Sequence, residues 1–281
     1  MDQAQSLREL VGKKQDIRVV SITSGKGGVG KSSISVNLAI AMSKLGIRVL
    51  VVDADFGLAN VDVMLGVTTR YDFSHVLKGE KALSDIIQIG YEGVHFISGG
   101  SGVKDLLDID EDQLAQLLDG VIHLDMPIDF IIIDTGAGIN DSVIKLILAS
   151  SETIVVTTPE PTSILDAYAL VKTIAKEDIT HPVHVLVNKC ENKKEAVRVQ
   201  EGFIEVVARH LGKNVSPIGI IMYDHEIPQS IKRQIPITVG DPDGTTAMEI
   251  MHIARGILDM PDSRISDNIL SRFFTRILGD K

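Results

Sequence analysis

The densest chemistry in the chain is the run Ser24-Gly25-Lys26-Gly27-Gly28-Val29-Gly30-Lys31-Ser32-Ser33. Glycines at this spacing let backbone N–H groups turn inward around phosphate oxygens. Lys31 is then placed to meet the terminal phosphates, and Ser32 offers a hydroxyl to magnesium. Ser33 follows in the first turn of a helix whose positive end adds to the attraction. Gly25, Gly27 and Gly30 also spell the G-x-G-x-x-G of a dinucleotide site, with Asp53 where such a fold holds a ribose. Three features favour the triphosphate. Lys31-Ser32 has no task at a pyrophosphate–ribose site. Lys26 puts a second cation inside the loop. Asp134 ends the apolar run Phe130-Ile131-Ile132-Ile133, where a magnesium-associated carboxylate is needed. Asp53 and Asp55, two residues apart on a strand end, point to one side, and the alternative for either is to cap the following turn. The expected ligands are ATP and Mg2+.

Those residues must be held by the ends of strands. Short β-branched runs at 17–22, 49–53, 94–98, 130–134, 153–157, 183–187 and 218–222 alternate with helix-period stretches at 33–45, 113–118, 142–148, 163–176 and 195–211. This alternation predicts one doubly wound, mostly parallel α/β sheet of P-loop NTPase topology. With 4% aromatic residues and no tryptophan, the core falls to Val, Ile and Leu, as in strands buried on both faces. The formal net charge of -10 argues against nucleic acid as a partner. The single cysteine, Cys190, argues against a disulfide or an iron–sulfur cluster. No apolar run approaches the ~20 residues of a membrane span and no signal peptide is recognisable, so the expected compartment is the cytoplasm.

The stretch from Lys26 to Ser32 resembles the deviant phosphate loop of the MinD/ParA-type ATPases. In such a family Lys26 reaches across a nucleotide-sandwiched homodimer to the partner's phosphates, placing charge as an arginine finger does. Val51 to Asn60 resembles the family's first switch. By that resemblance Asp55 orients and deprotonates the attacking water, and Asp53 contacts magnesium through water. Asp134-Thr135-Gly136-Ala137-Gly138 resembles the second switch, with Gly136 where a proline is common, which predicts a more mobile loop. Asn188 and the segment containing Tyr223 are placed by the resemblance around the adenine.

Two ends fall outside the ATPase domain, taken as 15–261. Residues 262–281 form a terminal helix after Met260-Pro261. Ile265, Ile269, Leu270, Phe273, Phe274, Ile277 and Leu278 recur there at helical spacing. Arg264, Arg272, Arg276 and Lys281 outnumber Asp267 and Asp280. Residues 264–281 therefore suit the inner surface of the cell membrane, reversibly, or else dock on their own core. In the arm 1–14, Asp2-Gln3-Ala4 with Leu7-Arg8 resembles the activator motif of the flagellar branch of the family, FlhG (also FleN or YlxH). Thr157-Thr158-Pro159-Glu160-Pro161-Thr162-Ser163 resembles the same branch. The branch implies control of flagellar number and placement, an FlhF-type GTPase stimulated by the arm, and flagellar C-ring proteins as partners. A DNA-partition or division-site ATPase is the alternative.

Overall fold

The computed structural model describes residues 17–55, 60–99 and 126–260. Its strands are β1 (Arg18–Ser24), β2 (Val49–Ala54), β3 (Gln88–Ile89), β4 (His95–Ile97), β5 (Phe130–Ala137), β6 (Glu152–Thr157), β7 (Val183–Cys190) and β8 (Val215–Met222). They form one eight-stranded sheet in the order β3-β4-β2-β5-β1-β6-β7-β8. Every pairing is parallel except β3 with β4. All seven expected strands are present. The chain leaves β1 between β5 and β6, so the crevice at its carboxyl end is a topological switch point.

The helices are α1 (Lys31–Lys44), α2 (Val61–Leu65), α3 (Phe73–Leu77), α4 (Leu83–Ile86), α5 (Asp141–Ala149), α6 (Pro161–Glu177), α7 (Lys193–Leu211), α8 (Glu226–Arg233), α9 (Ile237–Gly240) and α10 (Thr245–Asp259). Successive strand residues feed opposite faces of the sheet. Val20 and Ile22 of β1 join α1 and α10 in one core, with Ile40, Ile253 and Ile257. Val19 and Ile131 face the other side, beneath α3 and α4. Beyond them α5, α6 and α7 cover Val155, Val183 and Val185. Burial on both faces is why β1 reads as an unbroken buried run rather than an alternation.

Several elements depart from expectation. β5 continues through Gly136 to Ala137, and the Gly138 N–H donates to Ser24 O at 2.9 Å. The expected loose loop is instead paired strand, since glycine keeps the amide that a proline would remove. β8 begins three residues earlier than expected and tolerates Pro217 because it is the sheet's edge. α10 stops at Asp259, before Met260-Pro261, as expected. The helix expected over 113–118, the arm 1–14 and the terminal helix 262–281 lie outside the described residues.

At the amino end of the sheet a charged cluster is buried. Arg18 Nε pairs with Glu152, whose other oxygen meets His184 Nε2 at 2.8 Å. Arg18 Nη1 also donates to Ile257 O at 2.6 Å, tying β1 to the last turn of α10. Burial alone would raise the Glu152 pKa, but His184 and Arg18 together hold it below the usual carboxylate range. Replacing Arg18 with Ala leaves a buried carboxylate short of its counter-charge. The expected loss is about 3–5 kcal/mol, read as a shift of the urea midpoint.

Candidate nucleotide-binding site

The phosphate loop joins β1 to α1 with backbone that side chains resist. Gly28 (φ 79°) and Gly30 (φ 98°) are left-handed, and Gly30 is the N-cap of α1. A Cβ on Gly25 would lie 2.2 Å from the Asp166 carbonyl oxygen, and one on Gly30 2.5 Å from Asn188 Nδ2. Gly27 faces open space, so its requirement is not steric packing within this chain. Two residues at the end of β7 brace the loop from outside. Asn188 Nδ2 donates to Val29 O at 2.8 Å, and Lys189 Nζ to Gly28 O at 2.7 Å. The loop's carbonyls are thus bound outward, which leaves its N–H groups for an anion. The first turn of α1 carries no acidic residue to compensate its positive end.

Lys31 opens α1 and is buried, which lowers its pKa, while the charges of Asp134 and Asp55 pull it back up. Asp53 and Asp134 are opposite each other in the β2–β5 pairing, both without solvent exposure. Burial drives the Asp134 pKa to about 7, helped by Asp53 and opposed by the hydroxyls of Ser32 and Ser35 and by Lys31. Asp134 Oδ1 accepts from Ser35 Oγ at 2.9 Å, whereas its buried Oδ2 has no hydrogen-bond partner. Asp53 is pushed to about 6, again by burial, against three backbone amides. Those are Asp55 N at 3.1 Å, Asn60 N at 2.9 Å and Val61 N at 3.2 Å. Turn capping, the alternative weighed for Asp53, is what its carboxylate does in this structure. Asp55 lies beside the second switch, with Oδ1 3.7 Å from where a Cβ on Gly136 would be.

These features fit a divalent cation held with a phosphate. Two buried carboxylates in need of positive charge lie side by side, Asp134 adjoins the Ser32 hydroxyl, and one of its oxygens is orphaned. Among the described residues no group of three or more His, Cys, Asp or Glu could hold a metal. Magnesium does not require one, since it binds through one or two carboxylates plus phosphate and water.

Lys26 does not join this cluster. Its ammonium donates to Glu160 Oε2 at 2.9 Å and Thr162 Oγ1 at 3.1 Å, at the entrance to α6. The side chain is 41% exposed. A family model for ParA, described as the NUBPL iron-transfer P-loop NTPase, matches residues 16–258. The chain belongs to the ParA/MinD family of P-loop ATPases. It is 33% identical over 251 residues to the antiactivator FleN of Pseudomonas aeruginosa, covering 89% of this chain and 90% of that one. The flagellum site-determining protein YlxH of Helicobacter pylori is 40% identical over 201 residues, 70% of this chain and 67% of YlxH. Among solved structures, the septum site-determining protein MinD of Pyrococcus horikoshii, complexed with Mg-ADP, superposes with a TM-score of 0.68. It is 25% identical over 86% of this chain and 96% of that one. The iron-transfer description of the matched model finds no thiolate set here, since the sequence has one cysteine and it is buried.

Apart from the Lys26 side chain, the expected site residues in the loop, with Asp53, Asp55 and Asp134, converge at the carboxyl ends of β1, β2 and β5. Asn188, at the end of β7, touches the loop, whereas Tyr223 follows the edge strand β8. The Tyr223 N–H donates to Cys190 O at 2.8 Å, its side chain is exposed, and Asn188 Oδ1 is buried without a partner. Glu160, Thr162 and Lys189 were not foreseen as site residues. The Thr157–Ser163 stretch had marked only a likeness to the flagellar branch.

The raised carboxylates set a pH dependence. Their folded values, about 6 and about 7, exceed the ordinary 3.8. The folded protein therefore holds more protons than the unfolded chain between roughly pH 4 and 7, and stability falls as pH rises through that window. Without nucleotide, the denaturation midpoint is expected to drop from about pH 5 to about pH 8, on the order of 1 kcal/mol per pH unit at its steepest. Asp134→Asn is expected to flatten the curve.

Proposed function

We propose that the protein is a magnesium-dependent ATP switch that dimerises when it holds ATP and controls where and how many flagella are built. The observation that carries this reading is the position of Lys26. It is a second loop lysine, at the surface, bound to Glu160 and Thr162 instead of to the buried carboxylate cluster. A lysine displayed in this way suits the phosphates of a second copy. In the proposed cycle the loop amides, Lys31 and Ser32 take Mg-ATP, with Asp134 and Asp53 around the ion. Two copies then close face to face, and each Lys26 exchanges its own Glu160 for the partner's phosphates. Asp55 orients the attacking water, and hydrolysis separates the copies.

The output is read from the relatives. FleN is an antiactivator and YlxH a flagellum site-determining protein; the first supports a regulatory output and the second directs it to the flagellum. We assign the FlhF-type GTPase to the arm with Asp2, Gln3, Ala4, Leu7 and Arg8, C-ring proteins to the dimer, and the membrane surface to residues 264–281. Among the described residues no helix is long and apolar enough to cross a membrane, so the attachment proposed is peripheral. A division-site role draws on the likeness to MinD. The greater identity to YlxH favours the flagellar one.

Light scattering on a sizing column distinguishes the states. With Mg-ADP the protein should run as a monomer, and with a non-hydrolysable ATP analogue as a dimer. Lys26→Ala and Lys31→Ala should both prevent the dimer. Asp55→Ala should keep it and lower turnover about 10³-fold or more. Unchanged turnover in that variant removes Asp55 from its role. Deleting 264–281 should abolish sedimentation with anionic liposomes while ATP binding survives, and persistent sedimentation rules out the membrane assignment.

A further inference from the structure

Behind the phosphate loop, α1 and α2 meet the segment 226–240 along a seam that is open to solvent on one side and in close contact on the other. A shallow cleft open to solvent lies there, lined by Ser33 and Asn37 of α1, Met64 of α2, and Ser230 and Ile231 of α8. Ser33 follows directly on the magnesium-binding serine proposed above. At the far end of α2 there is no slack. Gly66, its left-handed C-cap (φ 64°), abuts Gln234, and a Cβ on Gly66 would be 3.3 Å from both the Cβ and the carbonyl oxygen of Gln234. Gln234 is the C-cap of α8 and is itself left-handed (φ 56°), a conformation a glutamine adopts at a cost.

The two sides of Gln234 are held unequally. After it, α9 is fastened to α1, because Asn37 Oδ1 accepts from Thr238 N at 3.1 Å and from Thr238 Oγ1 at 2.9 Å. Lys44 Nζ also donates to Thr238 O at 2.6 Å. Before it, α8 borders the cleft and is tied at its far end, where Asp224 accepts from Glu226 N at 2.8 Å and from Thr246 Oγ1 at 2.7 Å. Gln234 is thus a strained joint between a fixed turn and a helix whose near side is open to solvent, the arrangement from which hinges are made. The other end of α2 is attached to the ion-binding cluster, since Asp53 Oδ2 accepts both Asn60 N and Val61 N. Between these attachments α2 is little more than one rigid turn, about 7–8 Å long.

We propose that α2 is a strut that transmits the state of the phosphate end to α8. A cation and γ-phosphate that draw on the Asp53 oxygens displace the first amides of α2, Met64 moves into the cleft, and Gly66 turns α8 about Gln234. This rests on the reading of the site as one for Mg-nucleotide, and it adds a moving element that the proposed dimer cycle does not need.

Hydrogen exchange followed by mass spectrometry tests it on the full chain. Mg-ADP and a Mg-bound non-hydrolysable ATP analogue share a base, and in Lys26→Ala, which the proposed cycle keeps monomeric, any difference between them originates at the phosphate end and not at a dimer interface. Residues 60–66 and 226–233 are expected to change exchange rate together, by roughly threefold or more, between the two ligands. A response in 60–66 with none in 226–233 overturns the strut. A lock tests it independently. Gly66→Cys with Gln234→Cys puts two Cβ atoms 3.3 Å apart, just short of the roughly 3.5–4.5 Å range of a disulfide and within reach of a small backbone shift, and Cys190 is buried and does not compete. The oxidised double variant should still bind nucleotide by calorimetry, lose the response in 226–233, and recover it on reduction. A response that survives oxidation overturns the proposal, and if the variant does not fold, the unmodified chain decides. No heat with Mg-ATP would remove the nucleotide reading and the strut together, whereas binding with an unmoved α8 removes the strut alone.

Discussion

Two carboxylates buried side by side, Asp53 and Asp134, are the constraint around which the rest of this protein is arranged. A negative charge out of water is unfavourable, and burial makes each hold on to its proton above the ordinary range. The fold meets them with a buried lysine, three backbone amides and serine hydroxyls, and still leaves Asp134 Oδ2 unpartnered. A site built in this way favours the arrival of a cation. The parallel sheet supplies the geometry, since β2 and β5 are neighbours in register and end together, with α1 beginning beside them.

What could be read from the residues follows what the physics leaves in local pattern. The expected strands are apolar runs, all but the edge strand β8 covered on both faces, so composition alone marks them. The phosphate loop is legible for a different reason: Gly28 and Gly30 stand where left-handed backbone is required, and Gly25 and Gly30 where a neighbour approaches. The elements that escaped are too short for any period to register, such as β3 with two residues and α2 with five. α8 escaped because its run Glu226-Ile227-Pro228-Gln229 carries a proline in its first turn and little apolar surface.

Site residues were missed where partners are remote in the chain. Glu160 and Thr162 are 134 and 136 positions from Lys26, and nothing in local spacing pairs them. Asp53 illustrates a different difficulty. A carboxylate at a strand end can face an ion or a turn's amides with the same sequence around it, and only coordinates show that its oxygens presently cap α2. Asn188 is similar: its amide nitrogen braces the phosphate loop, while the unpartnered oxygen is the atom left over for a ligand.

The proposed moving parts share one design. Lys26 and the first turn of α2 are each held by an interaction that must be exchanged before the ATP state can form. A ligand shifts such an equilibrium only by its differential affinity for the two states. The Lys26–Glu160 pair is exposed and well solvated, so it offers little resistance and acts to position the lysine more than to restrain it. The amides on Asp53 are a firmer restraint, because hydrogen bonds to a buried charged group contribute about 1.5–3 kcal/mol each. Binding of a nucleotide alone would then free the lysine readily, whereas displacing α2 requires a ligand that competes for the carboxylate itself. A cation held by a γ-phosphate meets that requirement, and the unequal strength of the two restraints is a physical basis for a switch that separates occupancy from activation.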